Sequence, residues 1–227
     1  VNSEHTGVEF GVPVGPWRAP PNSLNVFYTE SVVDELAYMV GQDPLDYRIR
    51  LITNSPRHLS VLKQVAKQAS WGESLPEGHG RGIAINEWFP LDEKRTVVAQ
   101  VVELSVSNRG KIKLHRVDCV VDCGLAVNPD SIKAQMEGAI VMGASATLFE
   151  QITIKDGRVV ESNFDDYRIA RMKDTPKIEV SIVKSESSPT GIGEPGAAPI
   201  APAITNAIFA ATRKRIRKLP IDKQKLV

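Results

Sequence analysis

The longest regular pattern in the chain is a pair of β-rich runs, 96–107 and 111–122, joined by Ser107-Asn108-Arg109-Gly110. Two such runs around a glycine-containing turn specify an antiparallel hairpin. In the second run Val117, Cys119 and Val121 alternate with Asp118, Val120 and Asp122, so at least one face is apolar and needs cover. The residues upstream can supply it, because their apolar period is helical. Leu24, Phe27, Val33, Leu36, Ala37 and Val40 recur at helical spacing, with Asn22 or Ser23 as cap and Gly41 just past the end. Asp43-Pro44 and Ser55-Pro56 each place a capping residue before a first-turn proline. They start a second helix to about residue 52 and a third with Leu59, Leu62, Val65, Ala66 and Ala69 on one face.

A loop is expected over 72–80 and a strand over 82–88. After the hairpin, Asn128-Pro129 opens a helix over 129–147, Lys155-Asp156-Gly157 turns a second hairpin, 177–183 is a strand, and 201–212 is a final helix. Helices and hairpins in this order argue for an α+β fold rather than a doubly wound parallel sheet. We divide the chain into a loop plus three helices at 1–80 and a hairpin and helix segment at 81–227, both parts of one domain.

Composition narrows the partners. The chain has 227 residues, enough to bury a core, and a formal net charge of +1, which calls for neither nucleic acid nor an anionic membrane. The basic run at 213–218 reads as a solvated helix end. Cys119 and Cys123, four apart on a strand, share a face and read as buried thiols. No apolar run is long enough to span a membrane. No signal peptide is visible, and a start at Val1 reads as a piece of something longer, so localisation stays open between cytoplasm and periplasm. His5, His58, His79 and His115 show no metal-ligand spacing.

Three segments could carry chemistry. In Gly191-Ile192-Gly193-Glu194-Pro195-Gly196, two glycines let the backbone approach a bulky partner, and Pro195 biases Glu194 toward an extended backbone. A glutamate in a tight, partly apolar loop would have a raised pKa, which suits a general base. The same segment also reads as a surface turn with an incidental glutamate. Gln135, in the helix over 129–147, offers a donor and an acceptor for a polar cofactor edge, or is simply a solvated helix residue. Two glycines inside that helix, Gly138 and Gly143, suggest close approach of something to it. Arg18, in the Gly/Pro-rich loop over 1–22, suits oxyanion recognition, or is a surface arginine.

The order of these motifs is more specific than any one of them. Gly15-Pro16-Trp17-Arg18-Ala19-Pro20 precedes Asp34-Glu35-Leu36-Ala37 and Asp43-Pro44-Leu45. Val121-Asp122-Cys123-Gly124, Asn128-Pro129 and Gln135-Met136-Glu137-Gly138 follow. Gly193-Glu194-Pro195-Gly196 then leads into Pro199-Ile200-Ala201-Pro202-Ala203-Ile204-Thr205-Asn206. Over roughly residues 7–221 the chain resembles the xanthine oxidase and aldehyde oxidase family, and more closely its molybdopterin-binding large subunits of the isoquinoline 1-oxidoreductase type.

That resemblance implies the C-terminal part of a molybdenum-cofactor-binding domain with mixed sheets, β-hairpins and packed helices. It implies a molybdenum hydroxylase that oxidises an aldehyde or N-heterocycle with water-derived oxygen, Glu194 being the general base. Gln135, Arg18, Gly138 and Gly193 would lie at the cofactor, a molybdenum–molybdopterin of the cytosine dinucleotide type. The metal would be held by the pterin dithiolene, with no protein ligand. Expected partners are a small subunit with [2Fe–2S] clusters, the N-terminal part of the same subunit, and a small-molecule substrate. The isolated 227-residue chain would be inactive. A non-catalytic structural or interaction module with the same fold is the alternative. One departure concerns the final helix: the family often has glycine after it, where this chain has Arg213, so a different helix end is expected.

Overall fold

A computed structural model of the chain describes residues 11, 12, 14–88, 95–221 and 226. His5 and the first ten residues of the N-terminal loop lie outside these. The expected hairpin forms the centre. Strands β1 (His79–Trp88), β2 (Thr96–Val106) and β3 (Ile112–Asp122) are antiparallel neighbours, and Gly110 closes the turn with a left-handed φ of 75°. The late strand β6 (Lys177–Ile182) pairs parallel to β3, giving the order β1-β2-β3-β6. A short hairpin of β4 (Ile154–Lys155) and β5 (Arg158–Val159) stands apart from this sheet. The architecture is α+β with a mixed sheet.

Both faces of the sheet are covered. On one face α3 (Pro56–Gln68) packs Val61, Leu62 and Val65 against Ile83, Val97, Ala99, Val101 and Val120. On the other, α4 (Pro129–Leu148) and α5 (Ile200–Thr212) pack Met136, Ile140, Ile204 and Ile208 against Val98, Val102, Val117, Cys119 and Val121. Cys119 and Cys123 are buried free thiols in this second core, and desolvation pushes the Cys119 thiol up to about 12. Glycines on β1 let α5 come close: a Cβ on Gly82 would run into the backbone of Ala203 and Ala207. The bulk removed by glycine is what allows helix backbone to rest on strand backbone.

The N-terminal helices depart from the expectation in detail. Helix α1 (Asn22–Met39) buries Val26, Phe27 and Ala37 together with Glu30 and Asp34, while Leu24, Leu36 and Val40 are exposed. The apolar period misled because the buried carboxylates have cationic partners. Arg48, on α2 (Pro44–Leu51), is almost fully buried and bonds Glu30 at 2.9 Å. Arg215 reaches Asp34 at 2.6 Å and lies over the Phe209 ring, so the basic run at 213–218 is partly turned inward rather than solvated. The caps divide the same way. Asp43 and Asn128 accept backbone N–H groups at the starts of α2 and α4. Neither Asn22 nor Ser23 caps α1, whose N-cap position is Pro21. The Asn22 amide is taken by Asn86 Oδ1 and Glu87 O instead. The Ser55 hydroxyl pairs with His58 Nδ1 and does not cap α3. At the end of α5, Arg213 itself takes the left-handed conformation at φ 63° and donates to Phe209 O, so the helix ends as a glycine would end it.

Candidate functional site

Arg18, Gln135 and Gly193 are far apart in sequence and meet in the fold. Arg18 Nε donates to Gly193 O at 2.8 Å, and Nη2 donates to Gln135 Oε1 at 2.7 Å. Arginine has no acceptor, so the Gln135 amide must turn its oxygen to Arg18. Its Nε2 and Arg18 Nη1 are then donors with no partner among the described residues. Gly138 follows on α4, and a Cβ there would have only Arg18 Nη1 near it, at 4.0 Å. The two glycines of α4 therefore serve different ends. Gly143 meets Ile200 and Ala197 and is a packing glycine, whereas Gly138 keeps an open surface beside Arg18.

Glu194 sits one residue beyond the Arg18 anchor. The expected extended backbone is not what forms: Glu194 lies in the helical region at φ −105° and ψ −39°. It leads into a 3-10 turn, Pro195–Ala197, and its carbonyl accepts from Ala197 N at 3.0 Å. Tertiary hydrogen bonds override the local effect of Pro195. Asn86 Nδ2 donates to Pro195 O at 3.3 Å and Gln100 Nε2 donates to Gly196 O at 2.8 Å. Upstream, Thr96 Oγ1 donates to Gly191 O at 2.7 Å. Gly196 is pressed onto α4, where a Cβ would lie 3.0 Å from Met136 Sδ and 3.1 Å from Ala139 Cβ.

The turn is thus clamped between the sheet and α4, with the carbonyls of Gly191, Gly193, Glu194, Pro195 and Gly196 all accepting. The half-buried Glu194 carboxylate has no hydrogen-bond or ion-pair partner among the described residues. Backbone polar groups fixed on every side of a free carboxylate leave that carboxylate available to a bound molecule. Asn86, Thr96 and Gln100 were not singled out from the sequence. The one visible signal was a polar residue inside an apolar strand run, as Gln100 stands in Val97-Val98-Ala99-Gln100-Val101-Val102.

Comparison with known proteins identifies the family of the chain. A family model described as a molybdopterin cofactor-binding domain matches residues 30–176. The chain belongs to this molybdopterin cofactor-binding domain family. The domain is 34% identical to the isoquinoline 1-oxidoreductase subunit beta of Brevundimonas diminuta, over 86% of this chain and 25% of that protein. It is 33% identical to a membrane-bound aldehyde dehydrogenase of Gluconacetobacter polyoxogenes, named with pyrroloquinoline quinone, over 85% of this chain and 27% of that protein. The chain therefore spans about a quarter of the length of these curated relatives. The solved aldehyde oxidoreductase of Desulfovibrio gigas shares the fold, with a TM-score of 0.74 at 13% identity over 90% of this chain and 40% of that one.

The described histidines of the domain do not join the site. His58 pairs with Glu87 at 3.0 Å beside α3. His79 and His115 stack on one another at the opposite end of β1 from Asn86, with ring centroids 4.7 Å apart. Among the described residues no group of three or more His, Cys, Asp and Glu side chains could hold a metal ion, and no helix is long and apolar enough to cross a membrane.

Proposed function

We propose that this domain forms part of a molybdenum hydroxylase that oxidises an aldehyde or N-heterocycle with oxygen from water, and that Glu194 is its general base. The observation that carries the reading is the unpaired Glu194 carboxylate on a turn whose flanking carbonyls are all held. A general base must be free to accept a proton and must stay within hydrogen-bond reach of it. The relatives' names supply the two substrate classes, an N-heterocycle and an aldehyde.

The residues present fit a pterin cofactor. Arg18 Nη1 and Gln135 Nε2 are adjacent free donors, matched to the acceptors of a pterin and its phosphate, and Gly138 leaves room for approach. Gly193 fits through its anchored carbonyl, which holds Arg18 in place. When bound, the molybdenum–molybdopterin group, here of the cytosine dinucleotide type, would supply the activated oxygen and take up two electrons from the substrate. Glu194 receives the proton of the attacking oxygen. Arg18 and Gln135 would orient the group through their hydrogen-bond donors. A separate subunit carrying [2Fe–2S] clusters would take those electrons onward, and the rest of the large subunit would complete the substrate channel.

Glu194→Gln in the full-length subunit, assembled with its partners, tests this. Turnover is expected to fall at least about 10²-fold, the usual contribution of a general base, with molybdenum content unchanged. Normal turnover would remove Glu194 from the role of base, whereas a wild-type subunit with full molybdenum content and no turnover would favour a non-catalytic module. Metal and pterin analysis of the same preparation separates molybdopterin from pyrroloquinoline quinone.

A further inference from the structure

Gln100 is fully buried in the middle of β2, with apolar neighbours on both sides in sequence. A buried amide is costly unless hydrogen-bonded. Only half of this one is well satisfied: Nε2 donates to Gly196 O at 2.8 Å, while Oε1 is buried with no partner. Valine or leucine would serve the core better. The position carries an orphaned acceptor, and what it gains is one donor aimed at the turn after Glu194.

Asn86 repeats the arrangement on the neighbouring strand. It pairs with Val98 in the β1–β2 register, two residues along from the Ala84–Gln100 pair, so both amides leave the same face of the sheet. Its Nδ2 donates to Pro195 O, and its Oδ1 accepts from Asn22 Nδ2 at 2.9 Å. Two side-chain amides thus hold the carbonyls of the two residues that follow Glu194.

We propose that Gln100, supported by Asn86 and Asn22, is a positioning residue for Glu194. It acts by fixing the peptide planes of Pro195 and Gly196 and so the direction in which the carboxylate leaves the turn. This rests on the reading of Glu194 as base. A base displaced by about 1 Å loses on the order of 10²-fold in rate.

The test uses the full-length subunit in its assembled holoenzyme. Gln100→Met keeps the length and removes the donor. It should lower kcat by roughly 10- to 100-fold, leave KM within about twofold, and leave molybdenum content unchanged. Gln100→Glu supplies the rescue: burial keeps the new carboxyl protonated, its hydroxyl donates to Gly196 O, and at about pH 6 most of the lost kcat should return. Loss of packing alone would not be rescued in this way.

Wild-type kcat in Gln100→Met, or equal impairment of the Met and Glu variants, overturns the proposal. Should the Gln100 variants fail to assemble, Asn22→Ala at the half-buried outer end decides. A several-fold loss of kcat at unchanged KM supports the proposal, and an unchanged kcat rejects it. Glu194→Gln separates the two readings. If it retains turnover, the base assignment falls and the positioning role falls with it. If it is inactive while Gln100→Met is fully active, only the positioning role falls.

Discussion

Two loop-rich segments of similar length, one before β6 and one after it, are held in opposite ways. The segment at 151–166 is tied almost wholly to itself. Val160 N donates to Thr153 O, Thr153 donates to Glu161, and Ser162 and Asn163 donate to Asp166. Its apolar side chains point outward, with Phe164 98% exposed. The segment at 184–199 is held by residues distant in sequence: Leu125, Cys123, Thr96, Arg18, Asn86 and Gln100. Irregular backbone can satisfy its polar groups locally or across the fold. Only the second solution fixes one side chain relative to other elements, and only the second carries the unpaired Glu194.

The comparison predicts a gradient of sensitivity. The largest stability effect should come from Gly124→Ala. Gly124 has a φ of 72°, and a Cβ there would collide with Ser188 O at the start of the pinned loop. Left-handed strain and backbone overpacking each reach about 1–3 kcal/mol, so thermal unfolding of the full-length subunit should shift by several degrees. An unshifted Tm would mean that the loop is free to move away. Thr96→Val comes next. It removes the bonds with Thr190 Oγ1 and Gly191 O, each contributing about 0.5–1.5 kcal/mol. A loss below about 0.5 kcal/mol, the level of an ordinary surface change, would show that this tether is redundant.

A smaller effect should follow pH. Burial pushes the Asp122 carboxyl up, but the Arg57 hydrogen bond, the Gly124 N–H and the Arg57 charge together hold it below the ordinary value. A carboxylate with a depressed folded pKa contributes stability above its unfolded pKa of about 3.9 and loses it as pH falls through the folded value. Wild type should therefore lose stability below about pH 4 more steeply than Asp122→Asn, followed by acid titration of Tm. Parallel acid curves would exclude Asp122 as a contributor. The smallest effect belongs to the other segment. Phe164→Ser should change stability by less than about 0.5 kcal/mol, as surface substitutions do. A larger loss on chemical denaturation would show that the segment at 151–166 is not self-contained.

The same contrast explains what could be read in the sequence. The central hairpin was legible because period two and a glycine turn are local signals, and the Asp43 and Asn128 caps for the same reason. Arg18, Gln135 and Glu194 were legible only as an ordered set, which the fold brings to one place through the Arg18 bonds. The tertiary polar contacts were not legible. Asn22 was expected to cap a helix, but a buried amide partner on β1 outcompeted the helix end. Glu194 was expected to be extended, but the donors Asn86 and Gln100, bonded to the Pro195 and Gly196 carbonyls, hold a 3-10 turn. The parallel pairing of β6 with β3, across more than fifty residues, has no local signature.

The most direct measurement of the central claim is single-turnover reduction of the assembled Glu194→Gln holoenzyme by substrate, followed optically with electron acceptor absent. This isolates proton removal and oxygen attack from later electron exit. The account predicts full cofactor content and a reduction rate at least about 10²-fold below wild type. A rate equal to wild type at full cofactor content would contradict it.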